Sequence, residues 1–351
     1  VLVLAGLAAF YEYRFVSFDQ SLTMRDLARD VGVSVSTVSK ALRNDPSISV
    51  SRCLAIQAAA ERLGYRPHPM VSALMAQMHH RRRRSDPHHI AWIDLWPAGK
   101  DGDPAMSAKP IMSGALARAQ ELGYGLEVYP VGTEGISPEG LRRRLAARGQ
   151  WGMIIPPVPE PSMRFALDLR GFTGVTIGSS LHEPVMHRVS PNHFQGSVLA
   201  WTQLRAKGFE RIGLALTPEM NERVETKWLA AFLACQQELP PRGRVNPLLA
   251  SPDDPAGFAR WLRREKPGVV LVAEKFPWCE LPCSNGGQVS GLPIAWLMLQ
   301  GGEQGVGGLD YQPEQLGRVA VEMVVAQIHR NERGSPDIPH TILINPVWTD
   351  C

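Results

Sequence analysis

Residues 23–43 read Thr23-Met24-Arg25-Asp26-Leu27-Ala28-Arg29-Asp30-Val31-Gly32-Val33-Ser34-Val35-Ser36-Thr37-Val38-Ser39-Lys40-Ala41-Leu42-Arg43. Thr23 to Asp26 has the form of a capping box with Asp in place of Glu. Leu27, Ala28 and Val31 follow at helical spacing until Gly32 ends the helix. After only Gly32-Val33, Ser34 can cap a second helix. Its inward stripe is Val38, Ala41 and Leu42, and Val35, Ser36, Ser39, Lys40 and Arg43 face out. A third helix is predicted from about Ser51 to Leu63, offering Leu54, Ile56, Ala59, Ala60 and Leu63 for burial, with Gly64 closing it. Three short helices enclose a minimal core. The tight turn lets the second helix project far enough to enter a major groove about 12 Å wide. An ordinary helical hairpin with a serine-rich face would show the same generic pattern.

Charge along the chain agrees with a polyanion partner for this segment. Residues 21–90 carry eleven Lys/Arg against five Asp/Glu, a net +6, whereas residues 91–351 carry 25 against 27, a net −2. A basic module on a nearly neutral body suits a module that touches nucleic acid while the body does something else. Arg81 to Arg84 supply four of those charges and could equally be a solvated linker. The whole chain has 351 residues, 44% apolar and 20% charged, the composition of an ordinary globular protein of two or three units. No apolar run is long enough to span a bilayer. Five scattered cysteines form no disulfide framework and favour a reducing compartment.

Thr23-x-x-Asp26-Leu27-Ala28-x-x-x-Gly32-Val33-Ser34-x-Ser36-Thr37-Val38-Ser39-Lys40, followed by Glu61-Arg62-Leu63-Gly64-Tyr65-Arg66-Pro67, resembles the DNA-binding head of LacI/GalR-type transcriptional regulators. Glu121-Leu122-Gly123-Tyr124, Trp151 to Ile155 and Gly317-Arg318-Val319-Ala320 extend the resemblance more weakly, to about residue 348. It implies DNA contacts from Thr23, Ser34, Val35, Ser36, Thr37, Ser39, Lys40, Arg43 and Tyr65, with base reading by Val35, Ser36 and Lys40. After Pro67, the stretch from Pro69 to Met78 opens with Pro at a helix N1 position. The resemblance makes this a hinge helix with Leu74 as a minor-groove wedge, although His68 and Val71 replace the family's usual Asn and small residue, and Leu74 could instead pack at a domain junction.

Beyond residue 89, strand-like and helix-like segments alternate, which means parallel sheets covered by helices. The resemblance implies two Rossmann-like lobes of the type I periplasmic-binding-protein fold with a ligand cleft between them. The expected organisation is an N-terminal appendage over 1–22, lacking the cationic start and cleavage site of a signal peptide, and a helix-turn-helix domain over 23–66. A hinge helix with basic linker over 67–88 and an α/β effector-binding and dimerisation body over 89–351 follow. The body lacks G-x-x-x-x-G-K-[ST], H-E-x-x-H and G-x-S-x-G, so no enzyme chemistry is expected. The glycine-rich stretch from Gly301 to Gly308 reads as a flexible connection. Cys279 and Cys283 have no His or second Cys pair nearby, and neither cofactor nor metal is expected.

Candidate effector residues are Trp96, Arg223, Glu274 and Lys275. Trp96 ends the first body strand, where open α/β sheets present ligand-contacting loops. Arg223 is near the family's effector-contacting arginine. Glu274-Lys275 stands where an Asn-Asp pair is common, and Asn192 where an Asp is frequent. Lys275 and Arg223 in the cleft would suit a carboxylated or phosphorylated sugar; Lys275 turned to solvent would leave Glu274 and Trp96 for a neutral glycan. The reading is a cytoplasmic, homodimeric, sequence-specific regulator, in the first place a repressor, with a double-stranded operator and a sugar-like effector as partners and no membrane. A periplasmic-type solute-binding protein of the same body fold is the alternative.

Overall fold

The computed structural model describes residues 22–42, 48–65, 89–97, 105–251, 253–274, 292–299, 301 and 305–350. The chain divides into two compact units, one ending at residue 82 and the other beginning at residue 83. In the first unit, α1 (Met24–Asp30), α2 (Val35–Ala41) and α3 (Val50–Leu63) form the three-helix head. The capping box is present: the Asp26 amide donates to Thr23 Oγ1 at 3.3 Å and the Thr23 amide donates back to Asp26 Oδ2 at 3.0 Å. Gly32, at φ 64°, and Gly64, at φ 71°, take left-handed conformations just past α1 and α3, where a Cβ would be strained. Ser34 Oγ accepts the Thr37 amide at 3.1 Å, so the start of α2 is fixed by the second capping residue.

Leu27, Ala28, Val38, Ala41, Cys53, Ile56, Ala59 and Ala60 make the core of the head. Leu54 does not join it as the sequence suggested; it is 61% exposed and Cys53 is buried instead. Residues 54 and 56 are two apart and cannot share a helix face, whereas 53, 56 and 60 do.

The body starts with β1 (His89–Asp94), α4 (Ala105–Glu121), β2 (Gly125–Pro130), α5 (Val131–Glu134), α6 (Pro138–Ala147), β3 (Gly152–Ile155), β4 (Met163–Arg164), β5 (Thr173–Ile177), β6 (Leu181–Glu183) and β7 (His187–Pro191). It continues with α7 (His193–Ala206), β8 (Ile212–Leu216), α8 (Pro218–Arg223), α9 (Lys227–Gln236), β9 (Leu248–Leu249), α10 (Pro255–Glu265), β10 (Val269–Val272) and β11 (Ile294–Trp296). The last elements are β12 (Gly308–Asp310), α11 (Pro313–Arg330), β13 (Thr341–Ile344) and β14 (Val347–Thr349). Two six-stranded sheets result, ordered β13-β7-β5-β3-β1-β2 and β14-β12-β11-β10-β8-β9. Every pairing in the first is parallel, and only β14 runs antiparallel in the second.

Alternate strand residues serve opposite faces, as a two-residue period requires. In the first lobe Ile90 and Trp92 meet Ile111 of α4 and Val321 and Val324 of α11, while Ala91 and Ile93 meet Leu141 and Leu145 of α6. In the second, Leu214 and Leu271 pack with Trp201, Trp228 and Phe232, while Val270 and Val272 pack with Phe258 and Trp261 of α10. Helices α4 and α11 approach so closely that a Cβ on Gly317 would lie 1.9 Å from the Ile111 carbonyl oxygen. The glycine-rich stretch is more than a connection, because Gly308 opens β12 and pairs with Thr349. The chain passes between lobes after β7, after β12 and after β13. The first and last passages are tied by Asn192 Nδ2 donating to Asn345 Oδ1 at 2.8 Å and by the Asn192 amide donating to the Ile344 carbonyl at 2.8 Å.

Candidate nucleic-acid interface and effector cleft

The head buries one face of α2 and presents the other. Val38 and Ala41 are fully buried, while Val35 is 40% exposed and Ser36 lies beside it in solvent. Ser39 and Lys40 are half-buried on the flank of this face. Ser34 and Thr37 are joined at 2.8 Å between their hydroxyls, so both serve the helix start while Ser34 stays exposed. Thr23 is exposed and occupied by its capping box, whose bonds hold the Asp26 carboxyl below its ordinary range. Tyr65 is half-buried against the head core, and that burial pushes its phenol up. Arg43, Leu74 and Lys275, together with the hinge stretch 67–88, lie outside the described residues.

In the body, residues that follow β3 and β5 of the first lobe bond to residues that follow β8 of the second, beyond the carboxyl ends of strands, where parallel α/β sheets place their ligands. Trp96 follows β1 and is held by its indole, which donates to the Pro157 carbonyl at 2.8 Å. Arg223, at the end of α8, reaches the same segment from the other lobe: Nη1 donates to the Val158 carbonyl at 2.7 Å and Nη2 to the Pro159 carbonyl. Arg223 therefore faces the first lobe, but its guanidinium is committed to two backbone oxygens and to Glu219, 3.3 Å away. Asn192 is structural here, since its side chain caps α7 and ties the two lobe passages.

Glu274, just past β10, accepts the Thr217 hydroxyl at 2.7 Å. Burial pushes its carboxyl up, the Thr217 bond and Arg223 work against that shift, and Glu219 adds to it. Glu274 lines a cavity of about 380 Å³ with Thr217, Pro218, Glu219, Met220 and Ser251, all from the second lobe. The structure thus brings Trp96 and Arg223 together on residues 157–159 and places Glu274 in a recess that adjoins them through Glu219, which pairs with Arg223 at 3.3 Å. Sequence reasoning missed Ser179, Arg188, Glu225 and Lys227, which cross between the lobes. Lys227 Nζ donates to Ser179 Oγ at 3.2 Å and pairs with Glu225, whose other oxygen lies 3.8 Å from Arg188. Ser162 Oγ donates to Glu222 at 2.9 Å beside them. Thr217-Pro218 after an apolar strand was a readable helix start; no local pattern marks the others. Among the described residues no group of His, Cys, Asp and Glu could hold a metal, and no helix is long and apolar enough to cross a membrane.

Residues 23–68 match the family described as bacterial regulatory proteins, lacI family. The HTH-type transcriptional regulator GalS of Salmonella typhimurium is 44% identical over 57 residues, 16% of this chain and 17% of that protein. GalR of Escherichia coli is 44% identical over 55 residues, 16% of each chain. The match spans about a sixth of the length of these relatives. The body's fold is shared with the lac repressor bound to ONPG in its repressed state, at TM-score 0.51 and 18% identity over 94% of this chain and 99% of that one. The trehalose repressor from Escherichia coli gives TM-score 0.51 at 14% identity over 75% and 100%. At such identities the likeness is one of fold. The N-terminal head of this chain, residues 23–68, matches the lacI family of bacterial regulatory proteins, and it is followed by a two-lobed α/β body.

Proposed function

We propose that this chain is a sequence-specific, DNA-binding transcriptional regulator that acts as a homodimer in the cytoplasm, with its DNA affinity set by a small molecule bound between the lobes of its body. The observation that carries the reading is the second helix of a lacI-family head, which presents Val35 and Ser36 to solvent while Val38 and Ala41 anchor it. Base readout is assigned to Val35, Ser36 and Lys40, with Val35 against a thymine methyl and Lys40 on a guanine edge. The effector is a sugar or sugar derivative, a reading that rests on the family resemblance. Glu274 and the hydroxyls of Thr217 and Ser251 offer hydroxyl-binding groups in one cavity. A solute-binding role would leave the head without a use.

Selection of bound sites from random duplex DNA, with and without pooled metabolites, tests this. A roughly palindromic site is expected, because closed twofold symmetry in the protein is matched in the DNA. Recovery of no preferred sequence would refute the proposal, and a half-site bound as tightly as the full site would refute the dimer. By the family resemblance, Leu74→Ala weakens operator binding and DNA bending while sparing binding to random DNA, which rests on phosphates.

A further inference from the structure

The three residues between α8 and α9 hold an arrangement that the effector reading does not use. Glu225 and Thr226 both take left-handed backbone conformations, at φ 52° and 61°. Side chains with a Cβ rarely adopt that region, and for a β-branched residue such as Thr226 the cost is larger. Two such residues in succession persist only where the surroundings hold them.

What holds Glu225 is a set of anion ligands from both lobes. Lys227 pairs with its carboxylate from the first turn of α9, Arg188 of β7 stands 3.8 Å from the other oxygen, and Ser179 beyond β5 hydrogen-bonds to it. Lys227 and Ser179 are themselves joined at 3.2 Å. Arg188 is fixed in place by donating to the Leu181 carbonyl at 2.8 Å, and only 19% of its side chain is exposed. Helix α9 has no side-chain cap at its N-terminus, the end whose amides and dipole favour negative charge. His193, a neighbour of this cluster, is buried with Nδ1 lacking a hydrogen-bond partner, and its ring packs edge-on against Trp228 at 4.8 Å. Burial and Lys227 hold that imidazole down at about 3, so it stays neutral and adds no counter-charge of its own. Among the described residues, two cations and one hydroxyl therefore converge on the single carboxylate of Glu225.

We propose that Arg188, Lys227 and Ser179 form an oxyanion subsite that the protein's own Glu225 carboxylate fills in this structure, and that a small molecule bearing a carboxylate or phosphate displaces it. Glu225 is the natural group to leave, because its side chain is 42% exposed. A dianion balances both cations where the tethered carboxylate balances one. This inference deepens the effector reading and rests on it for regulatory meaning, while the chemistry of the subsite stands on the contacts themselves.

The test uses the full chain titrated with inorganic phosphate or with acetate at constant ionic strength, with Kd taken from calorimetry. Glu225→Gln removes the internal competitor, and phosphate should bind at least about tenfold more tightly than to the unchanged protein, some 1.4 kcal/mol. Glu225→Gly, which also relieves the backbone, should show the same gain. Adding Lys227→Met or Arg188→Gln to Glu225→Gln should abolish it. Phosphate binding at the basic head is common to all these proteins and drops out of the difference. A gain with phosphate alone assigns the subsite to a phosphate, and an equal gain with acetate to a carboxylate. Equal phosphate affinity of Glu225→Gln and unchanged protein, or a gain that survives Lys227→Met, would overturn the proposal. A gain with no change in operator affinity would keep the oxyanion subsite and refute the effector reading of the cleft.

Discussion

Val35 and Val38 lie one helical turn apart on α2, and the structure gives them opposite tasks that mutation can separate. Val38 is fully buried in a core of eight residues, whereas Val35 is 40% exposed. Replacing valine by alanine removes about two methylene equivalents at about 0.8 kcal/mol each, and a buried site adds a cavity term, so Val38→Ala should cost the head about 2–3 kcal/mol. A three-helix unit this small has little stability to spare. Val35→Ala loses much less burial and should cost the fold under about 1 kcal/mol. Under the proposed base readout its effect belongs on DNA: loss of one apolar contact to a thymine methyl at about 1 kcal/mol is roughly a fivefold weaker operator complex, with relaxed preference at that base. Hydrogen exchange of the α1–α3 amides in the full chain reads the first effect, and fluorescence anisotropy on selected and base-swapped duplexes reads the second. Equal deprotection of the head by both substitutions, or an unchanged base preference in Val35→Ala, would refute the assignment of faces.

Thr23→Ala deletes the α1 cap and should destabilise the head by about 1 kcal/mol, seen as faster amide exchange in α1. Gly317→Ala puts a methyl against the Ile111 carbonyl oxygen, 1.9 Å from its ideal Cβ position; forcing α4 and α11 apart should cost about 1–3 kcal/mol or more, read by denaturant unfolding of the body. Glu121 bonds Arg318 and Arg118 and its carboxyl is held at about 2, below the ordinary 4.5. A depressed pKa stabilises the fold above pH 4.5, and that contribution is lost as pH falls through 2. Glu121→Gln should therefore flatten the acid limb of the body's stability curve, and an unchanged limb would refute it.

Legibility in the sequence followed the range of the forces. The head was readable because caps and terminators are local: Thr23, Asp26, Gly32, Ser34 and Gly64 each act within four residues. Helix α11 was readable over its full length, since Pro313 starts it and its apolar stripe repeats at helical spacing. Strand β7 was not, because His187, Arg188 and Pro191 break the apolar pattern, and its order comes from pairing with β5 and β13. Arg223 was singled out from its neighbours in sequence, yet its role depends on carbonyl oxygens 64 and 65 residues away. The Ser179, Arg188, Glu225 and Lys227 cluster has the same long-range origin, and the left-handed turn that builds it carries no glycine to announce it.

These cross-lobe bonds constrain how any effector could act. A ligand shifts an equilibrium between lobe arrangements only by its difference in affinity for them. Here the protein already bridges the lobes through Arg223 to residues 158 and 159, Ser162 to Glu222, and Lys227 to Ser179. Such bonds contribute about 0.5–1.5 kcal/mol each when neutral and more when charged, comparable to the 1–3 kcal/mol over which allosteric couplings typically range. An effector that left them intact and merely filled the recess beside Glu274 would meet nearly the same contacts in either arrangement and would couple weakly to DNA. One that displaces Glu225 changes the partners of Arg188 and Lys227, which sit on opposite lobes, and so acts on the contacts that distinguish the arrangements. The strength of regulation should therefore track a ligand's charge at this point more closely than its total affinity.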